Sequence, residues 1–126
     1  MSQLFVYGSL LRGEERDGLV AHLSHRPATT KGKLWRAPAG YPALELDHRA
    51  EAIKGEVLTL ESPAILTVLD MYEGVREGLY DRIKVTIQTP HGEEQAWAYV
   101  MNSAQLRRAQ CTRLKGSDWR SFTRRR

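Results

Sequence analysis

The segment from residue 80 to residue 101 constrains the fold more than any other, because it predicts two adjoining strands. Residues 80–89 alternate apolar and polar side chains, Pro90-His91-Gly92 predicts a turn, and residues 94–101 return as an antiparallel partner. The returning strand carries apolar side chains on both faces: Ala96, Ala98 and Val100 on one, and Trp97, Tyr99 and Met101 on the other. Apolar residues on both faces indicate a sheet that curls or closes on itself.

Other segments supply the remaining elements of an α+β fold. Residues 53–60 predict another strand, and residues 29–35 predict a shorter one. Leu19, Val20 and Leu23 predict one short helical face that ends before Pro27. In total we expect five or six strands and two or three short helices, arranged as a small barrel.

The best-defined helix is predicted over residues 63–72, with an apolar face that points into the core and consists of Ile65, Leu66, Leu69 and Tyr72. Ser62 is suited to the N-cap, Pro63 to the first helical position, and Gly74 to the stop after the last turn. Glu73 then lies at the rim of the core, at the helix end where the dipole disfavours a negative charge. That position, with partial burial, predicts a raised pKa, which suits a general base near neutral pH. The alternative is a surface carboxylate in a polar, ion-paired loop.

The N-terminal stretch Leu4–Leu10 predicts a strand that ends at Gly8-Ser9. Where bulky side chains stop, successive backbone N–H groups become accessible, and concave runs of such groups bind anions, including carboxylates. The alternative is an ordinary exit from a strand into a turn. From these residues alone, the turn is the favoured interpretation.

Composition restricts the functional classes. A chain of 126 residues, 41% hydrophobic and 27% charged, predicts one soluble domain over residues 1–126, with a basic tail from about residue 116. Cys111, the one cysteine, excludes an internal disulfide framework and favours a reducing compartment, and its basic neighbours predict a lowered pKa. With no signal or membrane segment recognised, we expect a cytoplasmic location. The histidine spacing does not predict a metal site.

Six segments, in this order, resemble the gamma-glutamylcyclotransferase-like family and together cover roughly residues 4–101. They are Phe5–Leu10, Tyr41–Leu44, Gly55–Val57, Leu69–Gly74, Tyr80–Arg82 and Ala96–Val100. The segment Gly116–Trp119 also resembles the ending of the small members. The resemblance implies a mixed β-barrel with flanking helices and a cavity at one end. A Trp-containing opening typical of the glutathione-specific branch is absent, which puts glutathione in question as a substrate.

The resemblance also assigns site residues. It implies that Tyr7, Gly8, Ser9 and Leu10 hold the gamma-glutamyl head and that Glu73 is the catalytic acid. The α-carboxylate would then bind the N–H groups of residues 8–10, while Glu73 takes a proton from the α-ammonium. The freed amine would attack the γ-carbonyl, which releases 5-oxoproline and a free amine without metal or cofactor.

Several alternatives stay open. Tyr7, Tyr80 and Tyr99 are candidate hydrogen-bond donors in the cavity, although a core aromatic with one wet end is favoured for each one singly. The protein could instead be a non-catalytic binding module, in which the same site captures a carboxylate-bearing ligand or the basic tail binds an acidic partner. Nucleic-acid binding through the arginine-rich C-terminus is disfavoured, because no aromatic residues interleave with the basic ones at stacking spacing. The sequence does not give the leaving amine or the oligomeric state.

Overall fold

The computed structural model describes residues 2–8, 10–11, 20 and 22–123. Within them the strands are β1 (Ser2–Val6), β2 (Ser24–Arg36), β3 (Pro42–Leu46), β4 (Ala52–Leu60), β5 (Asp81–Thr89), β6 (Gly92–Val100) and β7 (Thr112–Arg113). The helices are α1 (Ala64–Tyr72), α2 (Ser103–Arg108) and α3 (Arg120–Thr123).

Five strands close into a barrel in the order β2-β4-β1-β6-β5, and β5 returns to β2 through the pair Thr29 and Gln88. Leu4 of β1 pairs with Trp97 of β6 in parallel, whereas the other neighbours are antiparallel. Beyond the barrel, the second half of β2 pairs with β3 and β7. The α+β fold with a small mixed β-barrel and short flanking helices is therefore confirmed.

The hairpin of β5 and β6 explains why the sheet closes. Ala96 and Ala98 are fully buried and face the barrel core. On the opposite face Tyr99 is also buried. Its hydroxyl donates a hydrogen bond to Asp70 of α1 at 2.8 Å. The barrel interior and the contact with α1 thus cover the two apolar faces of one strand.

The helical face predicted from Leu19, Val20 and Leu23 lies partly outside the described residues, but no helix runs up to Pro27, because β2 begins at Ser24 and includes Pro27. Pro27 pairs with Glu56 of β4, while β5 meets β2 at Thr29. Among the described residues, one flank of β2 therefore has no ladder partner at Pro27, and a residue without an N–H group is tolerated there. Strand pairing over a long distance in sequence overrides the local helical pattern.

The described residues beyond Gly116 pack on the barrel. Trp119 is buried in the core, and Ser117 accepts a hydrogen bond from the Lys54 N–H at 2.7 Å. Arg120 reaches the carboxylate of Glu56 on β4 at 3.2 Å. Among the described residues, none of the helices has the length and hydrophobicity that a membrane-spanning segment requires.

Candidate active site

One cavity opens at the end of the barrel where β1 and α1 both terminate. It has a volume of about 220 Å³. Its described lining combines backbone from the turn after β1, aromatic rings and a single carboxylate: Phe5, Val6, Tyr7, Gly8, Leu10, Tyr41, Pro42, Tyr72, Glu73, Leu79, Tyr80 and Tyr99. The structure thus brings Tyr7, Gly8, Leu10, Glu73, Tyr80 and Tyr99 to one place, while Ser9 lies outside the described residues.

The turn after β1 forms part of the cavity lining. Sheet pairing of β1 ends at Val6, and the chain then turns, with the Leu11 N–H donating to the Gly8 carbonyl at 2.9 Å. Gly8 lies directly against the ring of Pro42, so that a Cβ at this position would overlap Pro42. Within the described residues, the N–H groups of Gly8 and Leu10 enter neither the sheet ladder nor a backbone turn bond. Anion binding by these amides therefore requires no sheet pairing to break.

Glu73 is placed by the way α1 ends. It is the C-cap, and its N–H donates to the Leu69 carbonyl at 2.8 Å. The next two N–H groups close a Schellman motif: Gly74 donates to Met71 at 3.3 Å and Val75 to Asp70 at 3.0 Å. Gly74 has φ of 67°, a conformation that costs other residues energy. This local geometry directs a half-buried Glu73 to the cavity.

Three buried tyrosine hydroxyls surround the inner part of the cavity, and each donates a hydrogen bond to an acceptor in the protein. Tyr7 donates to the Tyr99 carbonyl at 2.7 Å, Tyr80 donates to the Pro42 carbonyl, and Tyr99 donates to Asp70. These bonds hold the rings in position. They also favour the interpretation of each tyrosine as a core aromatic rather than as a donor to a ligand.

Burial and the charge of Glu73 both raise the pKa values of these three tyrosines. Burial is the main cause that raises the pKa of Tyr7, Tyr80 and Tyr99. The carboxylate of Glu73 adds to the increase in pKa at all three, because a second negative charge nearby disfavours a tyrosinate. One carboxylate therefore acts on all three hydroxyls.

An ion pair behind the cavity ties α1 to the barrel. Arg82 of β5 donates to both carboxylate oxygens of Asp70, at 2.7 and 3.1 Å, and its guanidinium lies 4.4 Å from the ring centre of Trp97. Asp70 also accepts a hydrogen bond from the Tyr99 hydroxyl. Because Asp70 precedes Glu73 by three residues on the same helix, this network fixes the end of α1 relative to β5 and β6.

Sequence reasoning did not identify Tyr41 and Tyr72 as part of the site. With them, all five tyrosines of the chain line one cavity. Both residues lie in segments that carry the family resemblance, which was the available indication. Tyr72 was expected on the buried face of α1, but it is 46% exposed at the edge of the cavity.

Other candidate chemistries gain no support from the geometry. Burial raises the pKa of the Cys111 thiol, so the expectation of a lowered pKa is wrong. No group of three or more histidine, cysteine, aspartate or glutamate side chains in the described part of the chain is arranged to hold a metal ion. What remains is the Glu73 carboxylate in an aromatic cavity that the turn residues Gly8 and Leu10 also line, an arrangement suited to proton transfer on an anionic ligand.

Comparison with known proteins identifies a family. Residues 4–121 match the family model described as gamma-glutamyl cyclotransferase, AIG2-like. No curated protein shows significant sequence similarity to the chain.

Solved structures show the same fold. YkqA from Bacillus subtilis is 28% identical with a TM-score of 0.75, and the match covers 97% of this chain but 40% of YkqA, so this chain spans less than half of that protein. An AIG2-like protein from Mus musculus is 21% identical with a TM-score of 0.71, over 82% of this chain and 78% of that protein. A structure described as a gamma-glutamyl cyclotransferase is 22% identical with a TM-score of 0.61, over 80% and 66% of the two chains. From the extent of the family match, this chain belongs to the AIG2-like gamma-glutamyl cyclotransferase family.

Proposed function

We propose that the protein is a cyclotransferase that cleaves a gamma-glutamyl amide and releases 5-oxoproline and a free amine. The observation that carries the proposal is the shared cavity, which Glu73 and the turn residues Gly8 and Leu10 line together. Family membership supports the same reaction class. Glu73 is the charged group among the described lining residues, which makes it our candidate for the proton transfers.

The proposed reaction follows from the charges of the substrate. The α-carboxylate binds the amides that follow β1, and the α-ammonium lies beside Glu73. Glu73 accepts a proton from the ammonium, and the freed amine attacks the γ-carbonyl within the same molecule. A new C–N bond forms, the attacking nitrogen loses its second proton, and the original amide C–N bond breaks. Glu73 returns the first proton to the leaving nitrogen, which also takes up the second and departs as an ammonium. Because attack is intramolecular, the contribution asked of the cavity is mainly orientation.

The test is the pair of variants Glu73→Gln and Glu77→Gln. Glu77 lies four residues further along on the exposed surface and does not line the cavity. The substitution Glu77→Gln therefore removes the same charge at a position outside the site. Each protein is incubated with gamma-glutamyl amines, gamma-glutamyl amino acids and glutathione, and 5-oxoproline is measured by mass spectrometry. We expect Glu73→Gln to lower kcat by about 10²-fold or more, with the folded structure retained and Glu77→Gln unchanged.

Two outcomes would contradict the proposal. Near-normal turnover by Glu73→Gln would remove Glu73 from the chemistry. Binding of these compounds with quantitative recovery of intact ligand from the unmodified protein would point to a non-catalytic binding module.

A further inference from the structure

The cavity wall changes from buried to exposed along its length. Tyr7, Tyr80 and Tyr99 are at most 6% exposed, whereas Tyr72 is 46% exposed and Tyr41 is half-buried. The two outer tyrosines come from different elements, Tyr41 from the turn between β2 and β3 and Tyr72 from the end of α1. They therefore form the part of the lining that a ligand reaching towards solvent would meet.

Tyr41 contributes its aromatic ring to this outer part of the cavity lining. Its backbone is fixed by a hydrogen bond from the Ala37 N–H to the Tyr41 carbonyl at 3.0 Å, and its ring lies 6.3 Å from that of Tyr80 at 58°. Its hydroxyl has no hydrogen-bond partner among the described residues, in contrast to the hydroxyls of Tyr7, Tyr80 and Tyr99. Burial also raises the pKa of Tyr41, so that its hydroxyl stays neutral.

An exposed apolar strip continues from the mouth of the cavity along α1. Val68, Met71 and Tyr72 are 56%, 78% and 46% exposed. Their spacing of three and four residues places them on one face of the helix. Exposed apolar groups next to a cavity are a frequent mark of a binding surface.

From these observations we propose that the leaving amine is apolar, an alkyl or aryl amine whose hydrocarbon part lies against Tyr41 and Tyr72. Longer chains extend over Met71. A carboxylate on the leaving group would instead lie in the same cavity as the negative charge of Glu73. The inference rests on the proposed cyclotransferase function and specifies its substrate class.

The experiment compares gamma-glutamyl ethylamide, butylamide, hexylamide and benzylamide with gamma-glutamylglycine and gamma-glutamylethanolamine, with release of 5-oxoproline as the readout. We expect kcat/KM to rise about two- to fourfold for each added methylene that reaches the wall. The glycine and ethanolamine compounds should be the poorest substrates of the set.

Variants then locate the subsite. Tyr72→Ala should lower kcat/KM about tenfold for the hexylamide but about twofold or less for the ethylamide, because only the longer chain reaches this ring. Tyr41→Ala should act in the same direction. Ile83→Ala is the matched control: Ile83 is a partly exposed apolar residue on β5, at 37% exposure, and it does not line the cavity.

The outcomes separate the two levels of the proposal. If none of the six compounds yields 5-oxoproline, the cyclotransferase function itself fails. If 5-oxoproline appears but gamma-glutamylglycine is the best substrate, or the alkyl series is flat, the function stands and the apolar leaving group is wrong. A preference for long chains that Tyr72→Ala and Tyr41→Ala do not alter would also overturn the proposed subsite.

Discussion

Gly8 lies against Pro42 in the candidate site with no room for a side chain. A Cβ at this position would lie 2.8 Å from the Cβ of Pro42 and closer still to its Cγ. We expect Gly8→Ala to cost about 1–3 kcal/mol in the free energy of unfolding, because either the turn or Pro42 must move. Urea denaturation measures the cost, and the KM for a cleaved gamma-glutamyl amide reports whether the turn has shifted.

A second substitution isolates this contact. Pro42→Ala removes Cγ, which is the nearest atom, so Gly8→Ala should cost less in the Pro42→Ala background than alone. A double-mutant cycle gives this coupling free energy directly. Additive costs would show that the Gly8–Pro42 contact does not set the position of the turn.

Residue identity at the site could be inferred from the sequence only in part. Gly8 and Glu73 each carry a local indication, a strand exit and a helix end, and they indeed line one cavity. Tyr41 and Tyr72 carry none, because their role depends on segments far apart in the chain meeting at one end of the barrel. For Tyr72 the helical period predicted burial, and the structure leaves the residue at the edge of the cavity instead.

Among the elements, the end of α1 controls the site most directly. Gly74 and Gly78 both have positive φ, 67° and 79°, but only Gly74 follows Glu73 and completes the Schellman motif. We expect Gly74→Ala and Gly78→Ala each to lose about 1–2 kcal/mol of stability from left-handed backbone strain. Only Gly74→Ala should also lower kcat, because it displaces the carboxylate. Equal effects of both substitutions on kcat would contradict this role for the motif.

The same comparison shows which elements are predictable. The end of α1 follows from local chemistry, because Gly74 provides the predicted stop. Its start differs by one residue from the prediction: α1 begins at Ala64 with Pro63 rather than Ser62 at the N-cap, while Ser62 Oγ accepts from the Ala64 N–H at 3.2 Å. The path of β2 through Pro27 does not, because it depends on pairing with β4, a strand that begins at Ala52. The end of a helix that is set by local residues can be predicted from the sequence. The path of a strand that depends on pairing with a distant segment cannot.

For the whole molecule, the convergence of the tyrosines predicts a response to alkaline pH. Tyr7 follows β1, Tyr80 precedes β5 and Tyr99 lies in β6. Their pKa values are raised in the folded protein, mainly by burial. In the unfolded chain a tyrosine ionises near pH 10. Above about pH 10 the unfolded state therefore holds fewer protons than the folded state, and the free energy of unfolding must fall as pH rises.

Each such tyrosine contributes a slope of about 1.4 kcal/mol per pH unit once its unfolded form is ionised. Urea denaturation between about pH 8 and pH 11 measures the total slope. Tyr99→Phe removes one of these groups, so it should make the decline above pH 10 shallower by that amount, whatever its effect on stability at neutral pH. If instead the ultraviolet absorbance of tyrosinate shows all five tyrosines ionising near pH 10 while the protein is still folded, the hydroxyls are not shielded as the barrel places them.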